Sequence, residues 1–213
     1  SYFVTFLIVS FSFLIADAAC RPKRAALIRA SVALILAAAN VVLGAALLAV
    51  PENGHDINVA AIQGNVSSRD KFRISNAETV KIYEKLIREA AENGAELIVC
   101  PESAFPWNLL KDEGSLGVFR TIAGEYDVSI MLGCLDGWRD EQENILALMY
   151  PDGSISDVKY SKRHLVPFGE YMPWRDFLST LIPPLAEISM LEYDIREGSE
   201  TAVMTLSDGT RIG

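Results

Sequence analysis

Histidine and cysteine, side chains that often bind metals in proteins, are scarce in this sequence. The 213 residues include two histidines, His55 and His164, and three cysteines, Cys20, Cys100 and Cys134. The histidines are too far apart to form a metal-ligand pair, and the cysteines are too few and too scattered for a zinc site or a disulfide framework. We therefore expect no bound metal and no other cofactor.

Positive charge is scarce outside the first 50 residues. The net charge of the chain is −9, whereas residues 1–50 hold four cations and one acid, a net of +3. The rest of the chain therefore carries −12. Proteins that bind nucleic acid need clustered lysine and arginine against the phosphate backbone. This acidic part of the chain is therefore not expected to bind nucleic acid.

Charge is absent altogether from one long apolar run, residues 30–50. At ~1.5 Å per residue, a helix of this length spans about 31 Å, close to the hydrocarbon thickness of a bilayer. Residues 1–16 are equally apolar but shorter than the roughly 20 residues that a span needs. Since the sequence begins without methionine, we expect it to start partway through a transmembrane helix. A signal peptide fits less well, because its positive charges precede the apolar run.

A short basic segment, residues 17–29, separates the two apolar runs. Its cations cluster at positions 21–24, and by the positive-inside rule such a loop lies in the cytoplasm. The following helix then crosses outward. The sequence thus predicts transmembrane helices at 1–50 and a second domain at 51–213 on the far side of the membrane, which in a bacterium with two membranes is the periplasm.

Residues 51–213 alternate between strand-like and helix-like patterns. Ser75 and Glu78 have the spacing of a capping box, and Gly94 is suited to end the helix that they begin. Apolar runs without alternation predict strands that are buried on both faces. The predicted order is a strand at 57–66, a helix from 75 to 94, a strand at 96–103, a helix at 114–127, a strand at 128–138, a hairpin at 144–162 that turns at Pro151–Gly153, a short helix at 174–181 and a hairpin at 201–213.

A carboxylate stands at the end of a buried strand in "LIVCPESAFPW", residues 97–107. Open α/β sheets bind ligands at the carboxyl ends of their strands, which is where Glu102 is expected. Burial with few charge partners favours the protonated form of such a group and makes it a usable general base near neutral pH. The alternative is a structural role, in which Glu102 caps the next loop or pairs with a surface arginine.

A cation and an acid lie eight residues apart in "YSKRHLVPFGEYMP", residues 160–173. Lys162 follows a predicted strand, and a loop shaped by proline and glycine leads to Glu170. A lysine near developing negative charge can stabilise an oxyanion, and loops held by a rigid scaffold often carry function. Alternatively, Lys162 and Arg163 are solvated charges at the end of the strand.

Four stretches together resemble one family. "IQGNV" after a membrane helix, "LIVCPESAFPW", "ENILALMYPDG" and "YSKRHLVPFGEYMPW" are similar to the apolipoprotein N-acyltransferases, a membrane-bound family of the carbon–nitrogen hydrolase (nitrilase) superfamily. The resemblance extends over about the whole chain. It implies an α/β fold, the nitrilase-like four-layer αββα sandwich, incomplete here and preceded by transmembrane α-helices. It also implies a Glu–Lys–Cys catalytic set.

The resemblance assigns roles to individual residues. Glu102 matches the general base, Lys162 matches the lysine that stabilises the oxyanion, and Glu170 matches a second acid that supports the lysine and the active-site loop. Three aromatic residues, Phe72, Trp107 and Phe168, are expected to bind substrate. The family usually has tryptophan where Phe72 stands, so the ring is kept and the indole N–H is lost.

The implied reaction is the transfer of a fatty acyl chain from a phospholipid, through a thioester, to the N-terminal diacylglyceryl-cysteine of a bacterial lipoprotein. A cysteine thiolate attacks the ester, and the α-amino group of the lipoprotein then takes the acyl chain. The expected partners are therefore the phospholipid donor, the apolipoprotein acceptor and membrane lipid. We expect a monomeric, multi-pass protein of the bacterial inner membrane.

The catalytic cysteine itself is the main departure from the family. Its strand is due just after Gly213, Cys134 comes too early, and Cys100 takes a position that the family fills with a bulky apolar residue. We therefore expect Cys100 to be a bystander, Cys134 a small buried side chain, and the 213 residues alone to be inactive. Two alternatives stay open, namely a membrane-tethered hydrolase that uses water as acceptor and a non-catalytic binding module.

Overall fold

The computed structural model describes most of the chain in two compact units, Ser1–His55 and Asp56–Gly213. The described residues are 2–20, 22–50, 54–67, 73–138, 141–175, 177, 180 and 194–213. Phe72 lies outside them, as does half of the helix predicted at 174–181.

The first unit is a pair of packed helices, α1 (Tyr2–Ala19) and α2 (Lys23–Leu48). The stretch Arg24–Leu48 has a mean hydropathy of 2.3 and is only 6% buried, whereas a core helix of a soluble protein would be mostly buried. By length and composition α2 can therefore cross a membrane; the apolar stretch of α1, Val4–Asp17, is shorter. The helix pair leaves many large apolar side chains exposed, among them Phe6, Phe13, Leu34 and Leu48.

The loop predicted at 17–29 is much shorter in the structure. Helix α1 continues to Ala19 and α2 already begins at Lys23, after Pro22 at its N-cap position. Arginine and lysine are good helix formers, so the basic residues extend α2 beyond its apolar run. Arg29 then lies within α2 and pairs with Asp17 of α1.

The second unit is built on a mixed sheet. In chain order the elements are β1 (Val59–Ala61), α3 (Asn76–Glu92), β2 (Leu97–Val99), β3 (Phe105–Asn108), a 3-10 turn (Leu109–Lys111), α4 (Glu113–Tyr126), β4 (Ser129–Asp136), β5 (Glu143–Met149), β6 (Tyr160–Ser161), β7 (Met204–Thr205) and β8 (Arg211–Ile212). Strands β1, β2 and β4 are parallel neighbours, β5 and β6 continue the sheet antiparallel, and β3 pairs in parallel with the far part of β4. A separate hairpin consists of β7 and β8.

Helix α3 begins and ends as its sequence predicts. The Ser75 hydroxyl accepts from the Glu78 N–H, and the Glu78 carboxylate accepts from the Ser75 N–H at 2.9 Å, which completes the capping box. Gly94 has φ of +82°. Its N–H bonds to the Ala91 carbonyl, and the N–H of Ala95 bonds to the Ala90 carbonyl. This is the Schellman arrangement that a glycine favours after a helix.

Both faces of the sheet are covered, as the continuous apolar strands predict. On one face, α3 and α4 pack over the strands through a cluster that includes Ile87, Phe119 and Ile130. On the other face, Met204 and Leu206 of the hairpin pack on Leu97, Met131 and Leu148. The described residues of the second unit thus form a helical layer, a sheet and a small second sheet. This order matches the first three layers, α, β and β, of the expected αββα sandwich.

The remaining strand and hairpin predictions differ from the structure mainly in length. The strand predicted at 57–66 pairs only over Val59–Ala61, and Asn65 already has the left-handed φ of +50° that belongs to a turn. The hairpin at 144–162 turns where predicted, with Gly153 at φ +80° and its N–H bonded to the Tyr150 carbonyl.

Candidate active site

Glu102 lies where the chain leaves the sheet and returns to it. Strand β2 pairs with the start of β4, and β3 pairs with Cys134 and Leu135 near its end. The residues between β2 and β3 form a turn, in which the N–H of Ala104 bonds to the Pro101 carbonyl and Ser103 takes φ of +48°. The carboxylate of Glu102 projects from this turn.

The turn can approach β4 closely because the facing residue is glycine. A Cβ on Gly133 would lie 2.1 Å from the Pro101 carbonyl oxygen and 3.3 Å from the Glu102 Cα. Any side chain at position 133 would therefore displace the segment that carries Glu102. The glycine in "MLGCLD" is thus part of how the site is built.

Lys162 follows the last strand of the sheet and is held there through its backbone. Its N–H bonds to the Asn144 carbonyl at 2.8 Å, and its carbonyl accepts the N–H of Gly198 at 2.9 Å. Gly198 has no room for a side chain either, because its Cβ would lie 2.4 Å from the Ser161 carbonyl oxygen. The lysine backbone is therefore fixed from both sides.

Glu170 closes the loop that the sequence predicted to be functional. Its carboxylate oxygen Oε2 accepts the N–H of Val166 at 2.8 Å, and its own N–H bonds to the Val166 carbonyl at 2.8 Å. The N–H of Phe168 bonds to the Tyr171 carbonyl, with Phe168 at φ +64°. The loop is thus a compact turn that the hydrogen bonds between Glu170 and Val166 stabilise.

The structure brings the three predicted residues together around one ammonium group. Lys162 Nζ lies 2.7 Å from Oε1 of Glu102 and 2.9 Å from Oε2 of Glu170. The side-chain amide of Asn144 donates to Oε1 of Glu102 at 2.7 Å and to Oε1 of Glu170 at 3.2 Å. Two carboxylates, one ammonium and one amide therefore form a single hydrogen-bonded cluster.

The cluster keeps its lysine and its inner acid charged. Partial burial disfavours the charge on Lys162, but hydrogen bonds to Glu102 and Glu170 outweigh it, so the pKa of Lys162 is raised. Burial alone would raise the pKa of Glu170. The Val166 N–H, Lys162 and Asn144 together reverse this and lower the pKa. The site therefore offers a fixed positive charge beside the ionised carboxylate of Glu170.

One expectation for Glu102 is wrong. The carboxylate is not buried with few charge partners: its side chain is 60% exposed and it pairs with Lys162. The chain leaves the sheet at Pro101, so Glu102 stands outside the apolar layer that the strand pattern suggested. The partner of Glu102 is Lys162 and not a surface arginine. The Lys162 side chain is only 21% exposed, so it is not a solvated charge at the end of the strand.

A cavity of about 280 Å³ adjoins the cluster. Glu102, Asn144 and Lys162 supply its polar groups, and the rest of its lining is largely apolar, including Val99, Leu146 and Tyr160. Such a cavity, apolar with a few convergent polar groups, is typical of a small-molecule site.

The structure describes two of the three predicted aromatic residues, Trp107 and Phe168. Trp107 packs edge-on against Phe105 with ring centroids 5.5 Å apart, and its indole N–H reaches Asp112 at the start of α4. Phe168 is 58% exposed at the tip of the Glu170 loop. Substrate contact by Phe72, Trp107 and Phe168 therefore stays a prediction.

Sequence reasoning missed Asn144, which is 3% exposed and touches both acids. The sequence pattern presents it only as the first residue of an apolar hairpin strand. A polar residue at the start of a strand that is otherwise buried, "NILALM", was the available signal, since buried amides need hydrogen-bond partners.

The two buried cysteines, Cys100 and Cys134, are poorly suited to form a thiolate. Cys100 is 2% exposed and Cys134 is fully buried, both in the cluster beneath the helices. Burial raises the pKa of both thiols, to about 12 for Cys134, where the nearby charge of Asp136 adds to the effect. Among the described residues, no three His, Cys, Asp or Glu side chains are grouped as a metal site.

Comparison with known proteins places the chain in a family. Residues 58–213 match the model of the carbon-nitrogen hydrolase family. The chain is 33% identical to an apolipoprotein N-acyltransferase of Geobacter metallireducens over 84% of this chain and 34% of the relative, and 28% identical to one of Haemophilus ducreyi over 92% and 39%. It thus spans little more than a third of the length of these two relatives.

The fold agrees with this assignment. The NitN amidase from Neterenkonia sp. AN1 superposes with a TM-score of 0.50 at 14% identity, over 73% of this chain and 55% of the amidase. At this identity the likeness concerns the fold alone. The family match over residues 58–213 shows that this chain belongs to the carbon–nitrogen hydrolase family.

Proposed function

We propose that this chain is the carbon–nitrogen hydrolase part of an apolipoprotein N-acyltransferase. It would transfer a fatty acyl chain from a phospholipid to the α-amino group of the N-terminal diacylglyceryl-cysteine of a bacterial lipoprotein. The observation that carries the proposal is the ammonium of Lys162 between the carboxylates of Glu102 and Glu170. The similarity to named N-acyltransferases selects this reaction among those that such a cluster can support.

The cluster suits a two-step acyl transfer. Glu102 accepts the proton of an attacking thiol, and later that of the attacking amine, as a general base. Lys162 stabilises the oxyanion of each tetrahedral intermediate, because its charge is already fixed before the reaction begins. Glu170 holds Lys162 and the Val166–Tyr171 turn in place. The three side chains thus have separate roles in proton transfer, oxyanion stabilisation and positioning.

We propose that the thiol belongs to a cysteine outside residues 1–213, in the strand that the family pattern expects after the 201–213 hairpin. Cys100 and Cys134 are unsuited because a thiolate is needed and burial opposes its formation. Residues 1–213 alone are accordingly expected to form no acyl-enzyme.

A membrane location supports the choice of a lipid substrate. Helix α2 is long and apolar enough to cross a bilayer, and a phospholipid donor is found only there. We place the protein in the bacterial inner membrane as a multi-pass protein. The basic residues at positions 21–24 would be cytoplasmic and the carbon–nitrogen hydrolase unit extracytoplasmic. Phe72, Trp107 and Phe168 remain our proposed lipid contacts, and a monomer suffices for the chemistry.

The test is acyl transfer by the gene product that contains these residues, produced in membranes. Labelled phospholipid and a diacylglyceryl-cysteine peptide are supplied, and the product is an amide on the peptide N-terminus. Glu102→Gln should abolish transfer, since the amide cannot accept the proton. Release of free fatty acid with no peptide product would instead identify a hydrolase, and inertness towards both acceptors would leave a binding module.

A further inference from the structure

The Asn144 amide is the neutral member of the cluster and donates to both of its carboxylates. Its Nδ2 lies 2.7 Å from Oε1 of Glu102 and 3.2 Å from Oε1 of Glu170. Its backbone carbonyl accepts the N–H of Lys162 at 2.8 Å. Asn144 therefore links β5, the Glu102 turn, the Glu170 turn and the residue that follows β6.

The chemistry of the partners fixes which way the amide points. Ionised carboxylates only accept hydrogen bonds, and an asparagine amide has two N–H donors on one nitrogen. One hydrogen can serve Glu102 and the other Glu170. With the amide reversed, its carbonyl oxygen would face two carboxylates and repel both.

A neutral donor solves an electrostatic problem at this site. Two carboxylates share one ammonium, so like-charge repulsion works to separate them. Asn144 adds attraction to both acids without adding charge. It is 3% exposed, and a buried amide of this kind loses much if its partners move, because its donors would then be unsatisfied.

The two donors on Glu102 also distinguish its two oxygens. Lys162 Nζ and Asn144 Nδ2 both bond to Oε1. A carboxylate oxygen with two such donors is the weaker proton acceptor. The other oxygen, Oε2, is left as the better base.

We propose that Asn144 is a positioning residue that clamps Oε1 of Glu102 and Oε1 of Glu170 beside Lys162, so that Oε2 of Glu102 takes the proton. This inference rests on the proposed function for its catalytic consequence. The clamp itself is a property of the folded chain and can be measured without turnover.

The first experiment compares Asn144→Asp with the wild-type gene product in membranes, by the rate of acyl-enzyme formation from labelled phospholipid at several pH values. Aspartate has the same shape but, when ionised, cannot donate and adds a third negative charge. We expect a rate about 10- to 100-fold lower near neutral pH, the usual effect of losing hydrogen bonds to charged groups. The deficit should shrink at lower pH, where the protonated side chain regains one donor.

Asn108→Asp is the matched control. Asn108 is a half-buried asparagine that likewise donates to a carboxylate, Oδ1 of Asp136, at 3.2 Å, and to the Gly137 carbonyl. The same chemical change there should alter stability while leaving the pH profile of acylation unchanged. A deficit for Asn144→Asp that is equal at every pH, or no deficit at all, would overturn the inference.

The second experiment needs no activity. Unfolding free energies in detergent are measured for Asn144→Ala, Glu170→Gln and the double variant. The clamp predicts that the two losses are not additive, because both changes remove the same interaction. Additive losses would overturn the clamp even if the enzyme is active. Non-additive losses in a protein that forms no acyl-enzyme would support the clamp and refute the proposed function.

Discussion

Replacement of Gly133 by alanine is the smallest change that should displace Glu102. The new Cβ would lie 2.1 Å from the Pro101 carbonyl oxygen, whereas ordinary contacts begin at 3.4 Å. The turn must therefore retreat by about 1.3 Å from β4. If the carboxylate moves with it, the 2.7 Å contact between Glu102 and Lys162 lengthens to about 4 Å, which ends the hydrogen bond.

The variant is expected to lose most of its activity while it stays folded. Overpacking of a buried contact typically costs about 1–3 kcal/mol of stability, and a shift of about 1 Å in a catalytic group can lower the rate by about 100-fold. Thermal unfolding and acyl-enzyme formation would be measured on the same preparation. Most of the activity should be lost in protein that is still folded at the assay temperature.

Gly117→Ala is the control for the Gly133 variant. Gly117 lies in α4, and a Cβ there would meet nothing within 4 Å. Alanine favours a helix over glycine by about 1 kcal/mol, so this variant should be slightly more stable and fully active. Wild-type activity in Gly133→Ala would show that the close approach of β4 does not set the position of Glu102.

Three further predictions concern the same unit. Gly198→Ala should lower activity about tenfold or more with a modest loss of stability, because its Cβ would press on the Ser161 carbonyl and shift the Lys162 backbone; normal kinetics would refute this. Ser75→Ala should cost about 1 kcal/mol in urea unfolding through loss of the α3 cap, with Ser75→Thr close to wild type. The Glu170 pKa is lowered from its ordinary 4.5, so its stabilising effect is complete above that pH and is lost as the pH falls through the folded value. The Lys162 pKa is raised from 10.5, so the stability that the charged lysine contributes is complete below that pH and is lost as the pH rises through the folded value. A stability difference between wild type and Glu170→Gln that persists at low pH would contradict the prediction for Glu170.

Features with local causes could be predicted from the sequence. The capping box of Ser75 and Glu78 and the glycine after α3 involve residues only a few positions apart, and the structure contains both. The continuous apolar strands likewise predicted a sheet covered on both faces. The alternation of these patterns was enough for an α/β class, whereas the four-layer sandwich was implied by the family resemblance.

Features that depend on chain path could not be predicted in the same way. The exposure of Glu102 follows from the detour between β2 and β3, which the strand pattern does not encode. The contact of Asn144 with Glu102 joins residues 42 positions apart and depends on the register of β4 with β5. The convergence of Glu102, Lys162 and Glu170 was expected through the family resemblance rather than from spacing.

The most direct test of the central claim is the mass of the gene product after incubation with phospholipid and without an acceptor. We predict an added acyl group that hydroxylamine removes, formed by the wild type and absent from folded Glu102→Gln and Lys162→Met variants. An adduct of equal amount in either variant would contradict the claim that these two side chains carry out the chemistry.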